Sequence, residues 1–204
     1  MCIRDRPKDL EKRQAILESA ARLFLEQGFE RTTVDAIAAR AGVSKLTVYS
    51  HFDGKQGLFK ALIVDKCGEH FEAREFGELA ALGPRAALLR IAGGFLSLMF
   101  HPDVVALHRV LMTAASHDAT MNHTFWDAGP APTIDSLAGL LKRFDAAGSL
   151  RVPQPAMAAD QFLSMLKGGD HLRVLLNVGT VPGARRLKTI AGDTVEMFLR
   201  AYAR

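Results

Sequence analysis

Residues 32–59 read TTVDAIAARAGVSKLTVYSHFDGKQGLF, and this stretch decides the fold. Val34, Ile37, Ala38 and Ala41 recur at helical spacing. Thr32 or Thr33 stands where an N-cap is needed, and Asp35 falls in the first turn, where the helix dipole favours an anion. Gly42 then supplies backbone freedom for a tight turn. Ser44 caps a second short helix over residues 45–51, with Val48 and Phe52 facing inward. Helix, glycine turn, helix is the helix-turn-helix arrangement. The outward residues of the second helix, Lys45, Thr47, Tyr49, Ser50 and His51, are hydrogen-bond donors with one permanent cation. A short helix so decorated fits a DNA major groove about 12 Å wide. Ser44 and the Lys45 backbone lie at its start, where amides and dipole attract phosphate, and Lys55 opens the next helix in a similar position.

Upstream, residues 9–27 carry Ile16, Ala20, Leu23 and Phe24 on one helical face and Glu11, Lys12, Glu18 and Arg22 on the other. Gly28 is expected to end that helix as a left-handed cap, with Phe29 folding back onto the apolar stripe. Downstream, Asp53-Gly54 breaks the chain. A fourth helix is expected over residues 55–76, buried through Leu58, Phe59, Leu62, Ile63, Cys67 and Phe71 and long enough to connect two domains. Further helices are expected over residues 84–100, 102–116, 118–147, 156–177 and 182–202. The third of these is bent or broken at Gly129-Pro130-Ala131-Pro132. No segment alternates with period two, so no sheet is expected.

The pattern T-x-x-x-I-A-x-x-A-G-V-S-K-x-T-x-Y-x-H-F-x-x-K-x-x-L-F, preceded by A-x-x-L-F-x-x-x-G-F at residues 21–29, resembles the DNA-binding domain of the TetR family of repressors. The match covers residues 10–70 or so, and residue types and spacings agree across four helices. The resemblance implies DNA contacts from Thr33, Ser44, Lys45, Thr47, Tyr49, His51 and Lys55. Of these, Tyr49, His51, Lys55 and Thr33 would meet phosphates, and Lys45 and Thr47 base edges. Leu46 departs from the small residue usual in the family. It either touches a thymine methyl or alters docking, and it puts the operator sequence in doubt. Leu46 and Ser50 complete the expected DNA-facing set.

The fold class is therefore all-α: an N-terminal three-helix helix-turn-helix domain, a long connector helix and a C-terminal helical ligand-binding and dimerisation domain, with about nine helices. The DNA-binding domain is assigned to residues 9–54 and the rest to 55–204. Residues 1–8 are expected to be a disordered tail. Within it, Cys2-Ile3-Arg4-Asp5-Arg6 resembles one frame of a common sequencing-library adapter and is set aside from the fold.

Composition agrees. The chain has 204 residues, 49% of them apolar, enough for a small module and a larger domain. Net charge is +4, and residues 1–60 hold 11 Lys/Arg against 8 Asp/Glu, so the excess sits beside the motif. No apolar run suits a membrane span and the N-terminus lacks a signal-peptide pattern, so neither membrane nor export is expected. Cys2 and Cys67 are too far apart in sequence to read as a disulfide framework, which suits the cytoplasm. The seven histidines form no i, i+4 pair, and no nucleophile elbow, phosphate loop or dinucleotide fingerprint occurs. No enzyme, metal or cofactor is expected.

Beyond residue 80 the pattern from Phe125 through Gly129-Pro130-x-Pro132 to Gly168 is similar to the AefR-like C-terminal domain. It implies a regulatory, dimerising domain and names no effector. A homodimer is expected through Phe162, Leu172, Leu176, Leu187, Ala191, Val195, Phe198 and Tyr202, the alternative being helices buried within one chain. Gly168-Gly169 would allow close helix approach. A pocket for a small apolar or aromatic effector is expected among Phe95, Met99, Met112, Phe125, Trp126, Phe162 and Met165, with His108, Arg109 and His171 as polar anchors. The same residues also read as core packing. The partners expected are double-stranded operator DNA, the effector and a second copy of the chain. A constitutive DNA-binding protein without effector is the first alternative. The second is a small-molecule-binding or enzymatic helical protein with a vestigial DNA module.

Overall fold

The computed structural model describes residues 5–68, 78–114 and 119–203. Its elements are helices α1 (Asp5–Arg31), α2 (Val34–Ala41), α3 (Lys45–His51) and α4 (Gly54–Gly68), a 3-10 turn (Ala80–Leu82), then α5 (Pro84–Met99), α6 (Pro102–Ala114), α7 (Ala119–Ala128), α8 (Pro130–Ala146), α9 (Pro155–Leu175) and α10 (Ala184–Tyr202). No strand occurs among the described residues. The all-α expectation of about nine helices holds, with the break at Gly129 dividing one into α7 and α8. Proline opens α5, α6, α8 and α9, at the position where a missing amide costs no helix bond.

α1 begins at Asp5, so part of the segment expected to be a disordered tail is helical. Gly28 interrupts α1 with φ 82°, ψ 165°, an extended backbone with positive φ that differs from the left-handed cap expected there. The expected C-terminal part of the fourth helix, including Phe71, lies outside the described residues.

The contacts divide the chain into two units, Met1–Asp65 with Ala106–Ala128, and Lys66–Val105 with Gly129–Arg204. The first boundary thus falls within α4, not at residue 54. The reason is visible in Leu58, Phe59, Leu62 and Ile63, all buried. The Phe59 ring meets Phe24 at 5.9 Å and Phe29 at 5.2 Å, both edge-on, the geometry aromatic quadrupoles prefer. Ile16, Leu17, Ala20, Ile37 and Val48 complete this small core.

In the second unit, α9 packs on α8 and α5, and α10 on α5 and α9. Leu88, Ile91, Leu137, Leu141, Phe162, Leu166, Val195 and Phe198 fill the space between them. Phe162 and Phe198 meet edge-on at 5.1 Å. Arg85 of α5 pairs with Glu196 of α10 at 2.7 Å. The loop after α8 is held by two bonds: Val152 N donates to Asp145 Oδ1, and Arg151 N to the carbonyl of Tyr202. Gly168 kinks α9, with φ 49° and ψ −160°. A Cβ there would meet nothing within 4 Å. Within this chain its use is therefore the kink.

Candidate nucleic-acid interface

Thr33, not Thr32, caps α2: its Oγ1 accepts from Ala36 N at 3.1 Å. Thr32 turns inward, 1% exposed, and donates from Oγ1 to the Gly28 carbonyl. α2 ends at Gly42 with φ 66°, ψ 31°, a left-handed residue whose N–H closes onto Ala39 O. That turn places Ser44 as cap of α3, its Oγ accepting from Thr47 N at 3.0 Å. Ser44 Oγ also shares a hydrogen bond with Thr47 Oγ1 at 2.8 Å. Val48, fully buried, anchors the inner side of α3. With that side fixed, Lys45, Leu46, Tyr49 and Ser50 are exposed and Thr47 is half-buried. Leu46 is 80% exposed, which a solvated apolar side chain gains nothing from. No acidic residue lies on α3.

Two expected DNA contacts are engaged elsewhere. Lys55 Nζ donates to the carbonyls of Phe29 at 2.9 Å and Glu30 at 3.2 Å, and lies 4.3 Å from the Phe29 ring centre. The ammonium adds to the acceptors at the end of α1, where the Phe29 carbonyl also takes the Thr32 N–H, so a phosphate contact from Lys55 departs from its geometry here. His51 Nε2 lies 3.2 Å from Asp9 Oδ1, with its side chain only 12% exposed. It ties α3 to α1. We expect Lys55→Met to lower stability by about 1.5–3 kcal/mol in urea unfolding, the usual range for hydrogen bonds to a charge. The salt dependence of DNA binding should stay as it was. A shallower salt slope at unchanged stability would return Lys55 to the phosphate-binding set.

Other charged residues brace the module. Arg40 of α2 grips Glu26 of α1 with both guanidinium nitrogens, and that hydrogen bond holds the Glu26 carboxyl below its ordinary pKa. Lys45 Nζ pairs with Asp35 at 2.9 Å to Oδ1 and 3.0 Å to Oδ2, and the hydrogen bond raises the Lys45 pKa.

Much of the expected dimer stripe on α10 is taken up by the chain's own core. Val195 is fully buried, Phe198 2% and Ala191 7% exposed, all within the chain's own core, as is Phe162. Leu187 and Tyr202 pack against the same core. Leu172 and Leu176, beyond the α9 kink, remain 54% and 58% exposed, with Val178 and Val181 exposed nearby in sequence. The ten expected pocket residues fall in both units. Phe95, Met99, Phe162, Met165 and His171 belong to the second, where Phe95 and Phe162 are core and Met99 and Met165 flank it. His171 is buried beside the Phe100 ring, and burial lowers its pKa. His108, Arg109, Met112, Phe125 and Trp126 belong to the first, where His108 meets Phe125 edge-on and Met112 and Trp126 are about half exposed. No single described helix is long and apolar enough to cross a membrane.

A capped, glycine-turned helix pair presenting donors from α3 defines a helix-turn-helix DNA-binding protein. Residues 16–62 match the profile described as bacterial regulatory proteins, tetR family, and residues 86–204 that of the AefR-like transcriptional repressor C-terminal domain. The flavonoid-responsive regulator FrrA is 31% identical, with a TM-score of 0.73 over 94% of this chain and 97% of its own. The SmeT–triclosan complex superposes with a TM-score of 0.67 at 23% identity, covering 95% of this chain and 92% of that one. YdeS of Bacillus subtilis (strain 168), an uncharacterized HTH-type transcriptional regulator, is 50% identical over 55 residues. That match spans 27% of this chain and 28% of YdeS. The chain belongs to the TetR family of transcriptional regulators.

Proposed function

We propose that the protein is a ligand-responsive repressor that binds palindromic operator DNA as a homodimer. The observation that carries this is the outward face of α3, where Lys45, Leu46, Tyr49 and Ser50 stand exposed with no acidic residue on the helix. Lys45 and Thr47 are assigned to base edges, Tyr49, Ser50 and Thr33 to the backbone, and Leu46 to the apolar edge of a base. Two copies would place their α3 helices in successive major grooves, roughly 34–36 Å apart.

The effector is assigned to the region resembling the AefR-like domain, as a small apolar or aromatic molecule. Support comes from two relatives of the same fold, one named flavonoid-responsive and the other complexed with triclosan. Met99, Met165 and His171 are its proposed contacts, since Phe95 and Phe162 are closed into the core. Release follows only if the effector prefers the state that does not fit DNA.

Selection of bound duplexes from a random pool tests this reading. A palindromic consensus, bound more weakly as salt rises and released by a member of an aromatic ligand panel, is the expected result. Failure to enrich any sequence overturns the operator-binding reading. Enrichment with no ligand able to release the DNA leaves a constitutive binder.

A further inference from the structure

The Lys45–Asp35 pair is poorly placed to stabilise the fold. The two side chains are 52% and 69% exposed, and pairs so wet contribute little. Nor is Asp35 needed to cap α2, since Thr33 already does so. Yet the carboxylate sits on the one ammonium of α3, the residue assigned above to a base edge. Both carboxylate oxygens lie within 3.0 Å of Nζ.

Such a pairing has two physical effects. First, it offsets part of the charge with which Lys45 would otherwise attract any phosphate. Counterion release scales with the number of phosphates neutralised, so a paired lysine contributes little sequence-independent affinity. Second, it restrains a flexible four-carbon side chain. An ammonium has three N–H donors. With the carboxylate engaging part of them, the rest are directed at one place, which suits an acceptor at a fixed base edge such as guanine O6 or N7.

Resting on the DNA-binding reading above, we infer that Asp35 is a specificity-determining positioning residue: it withholds Lys45 from phosphates and holds its ammonium for a base-edge acceptor. The protein thereby gives up non-specific affinity and gains discrimination between operator and bulk DNA. Asp35 touches Lys45, so it acts through that side chain.

The test uses the full chain and two labelled duplexes, one of scrambled sequence and one enriched from a random pool, each titrated with protein across a salt series. Asp35→Asn removes the charge and keeps the shape. It should steepen the log affinity against log salt slope on scrambled DNA by up to about 0.9 per engaged subunit. At 0.1 M salt the full value corresponds to about eightfold tighter scrambled-DNA binding per contact, referred to 1 M. The ratio of operator to scrambled affinity should fall by at least as much. Asp35→Glu should restore most of the ratio. Lys45→Ala should abolish the effect of Asp35→Asn in the double variant, as a pairwise coupling requires. Thermal melts of each variant establish that the module is folded.

An unchanged slope and ratio in Asp35→Asn overturns the inference. So does an effect that persists in the Lys45→Ala background, because Asp35 would then act on the DNA directly. If the wild type enriches no sequence, the operator reading fails, and the slope on scrambled DNA still decides whether Asp35 neutralises Lys45.

Discussion

Phe59→Ala is expected to destabilise the N-terminal unit severely and to weaken binding to every DNA sequence alike. The side chain is 1% exposed and meets the rings of both Phe24 and Phe29. Truncating a buried phenylalanine costs about 3–5 kcal/mol, from lost transfer energy and the cavity left behind. Whole domains are stable by only about 5–15 kcal/mol, so a small core has little to spare. Far-ultraviolet circular dichroism during urea unfolding reads the loss, and gel shifts on scrambled DNA read its consequence. An unchanged midpoint would mean that α4 is not part of this core. Phe59→Leu, which keeps most of the apolar volume, should retain much of the lost stability.

The second large effect separates the chain's own core from Leu172 and Leu176, the two members of the expected dimer surface that stay exposed. Leu176→Glu should leave the secondary structure of the subunit intact while converting dimers to monomers, and operator affinity should fall at least about 100-fold through loss of paired half-sites. In a twofold interface one substitution places two unpaired carboxylates in apolar surroundings, a severe desolvation cost. Phe198→Ala should behave oppositely, destabilising the subunit by about 3–5 kcal/mol, because its ring is 2% exposed and packs on Phe162. Sedimentation at several concentrations together with thermal melts distinguishes the two. If Leu176→Glu stays dimeric and Phe198→Ala becomes a stable monomer, the dimer surface lies on α10 after all.

These variants also mark how far the sequence was legible. The helix-turn-helix could be read from Thr33, Gly42, Ser44 and Val48 because its signals are local: a cap lies within three residues of its amide, and a left-handed turn needs one glycine. The α10 stripe was read correctly as apolar, and Ala191, Val195 and Phe198 of it are buried in the chain's own core. A helix buries the same face whether the partner is α5 of its own chain or a helix of another, and periodicity carries no mark of which. The pocket suffered from the same ambiguity, since Phe95 and Phe162 are as apolar as a binding site requires and are core. Lys55 and Lys45 show a second limit. Their partners, the carbonyls of Phe29 and Glu30 and the carboxylate of Asp35, belong to other helices, 25 or 26 residues away for the former and 10 for the latter. Only the folded chain brings them within reach.

The contact from Lys55 to the end of α1 has a mechanical consequence. The ammonium and the Phe59 ring fasten the first turns of α4 to α1 at two points, and His51 fastens α3 to α1 at a third. A torque applied to α4 is therefore shared by the whole module rather than spent bending α3 against its neighbours. From Lys55 to Ile63 the lever is about 12 Å long, at about 1.5 Å per residue. Reorientation of the reading head would leave its internal distances unchanged, so probes placed within the head should stay silent, while in the proposed dimer probes between the two heads would report the motion.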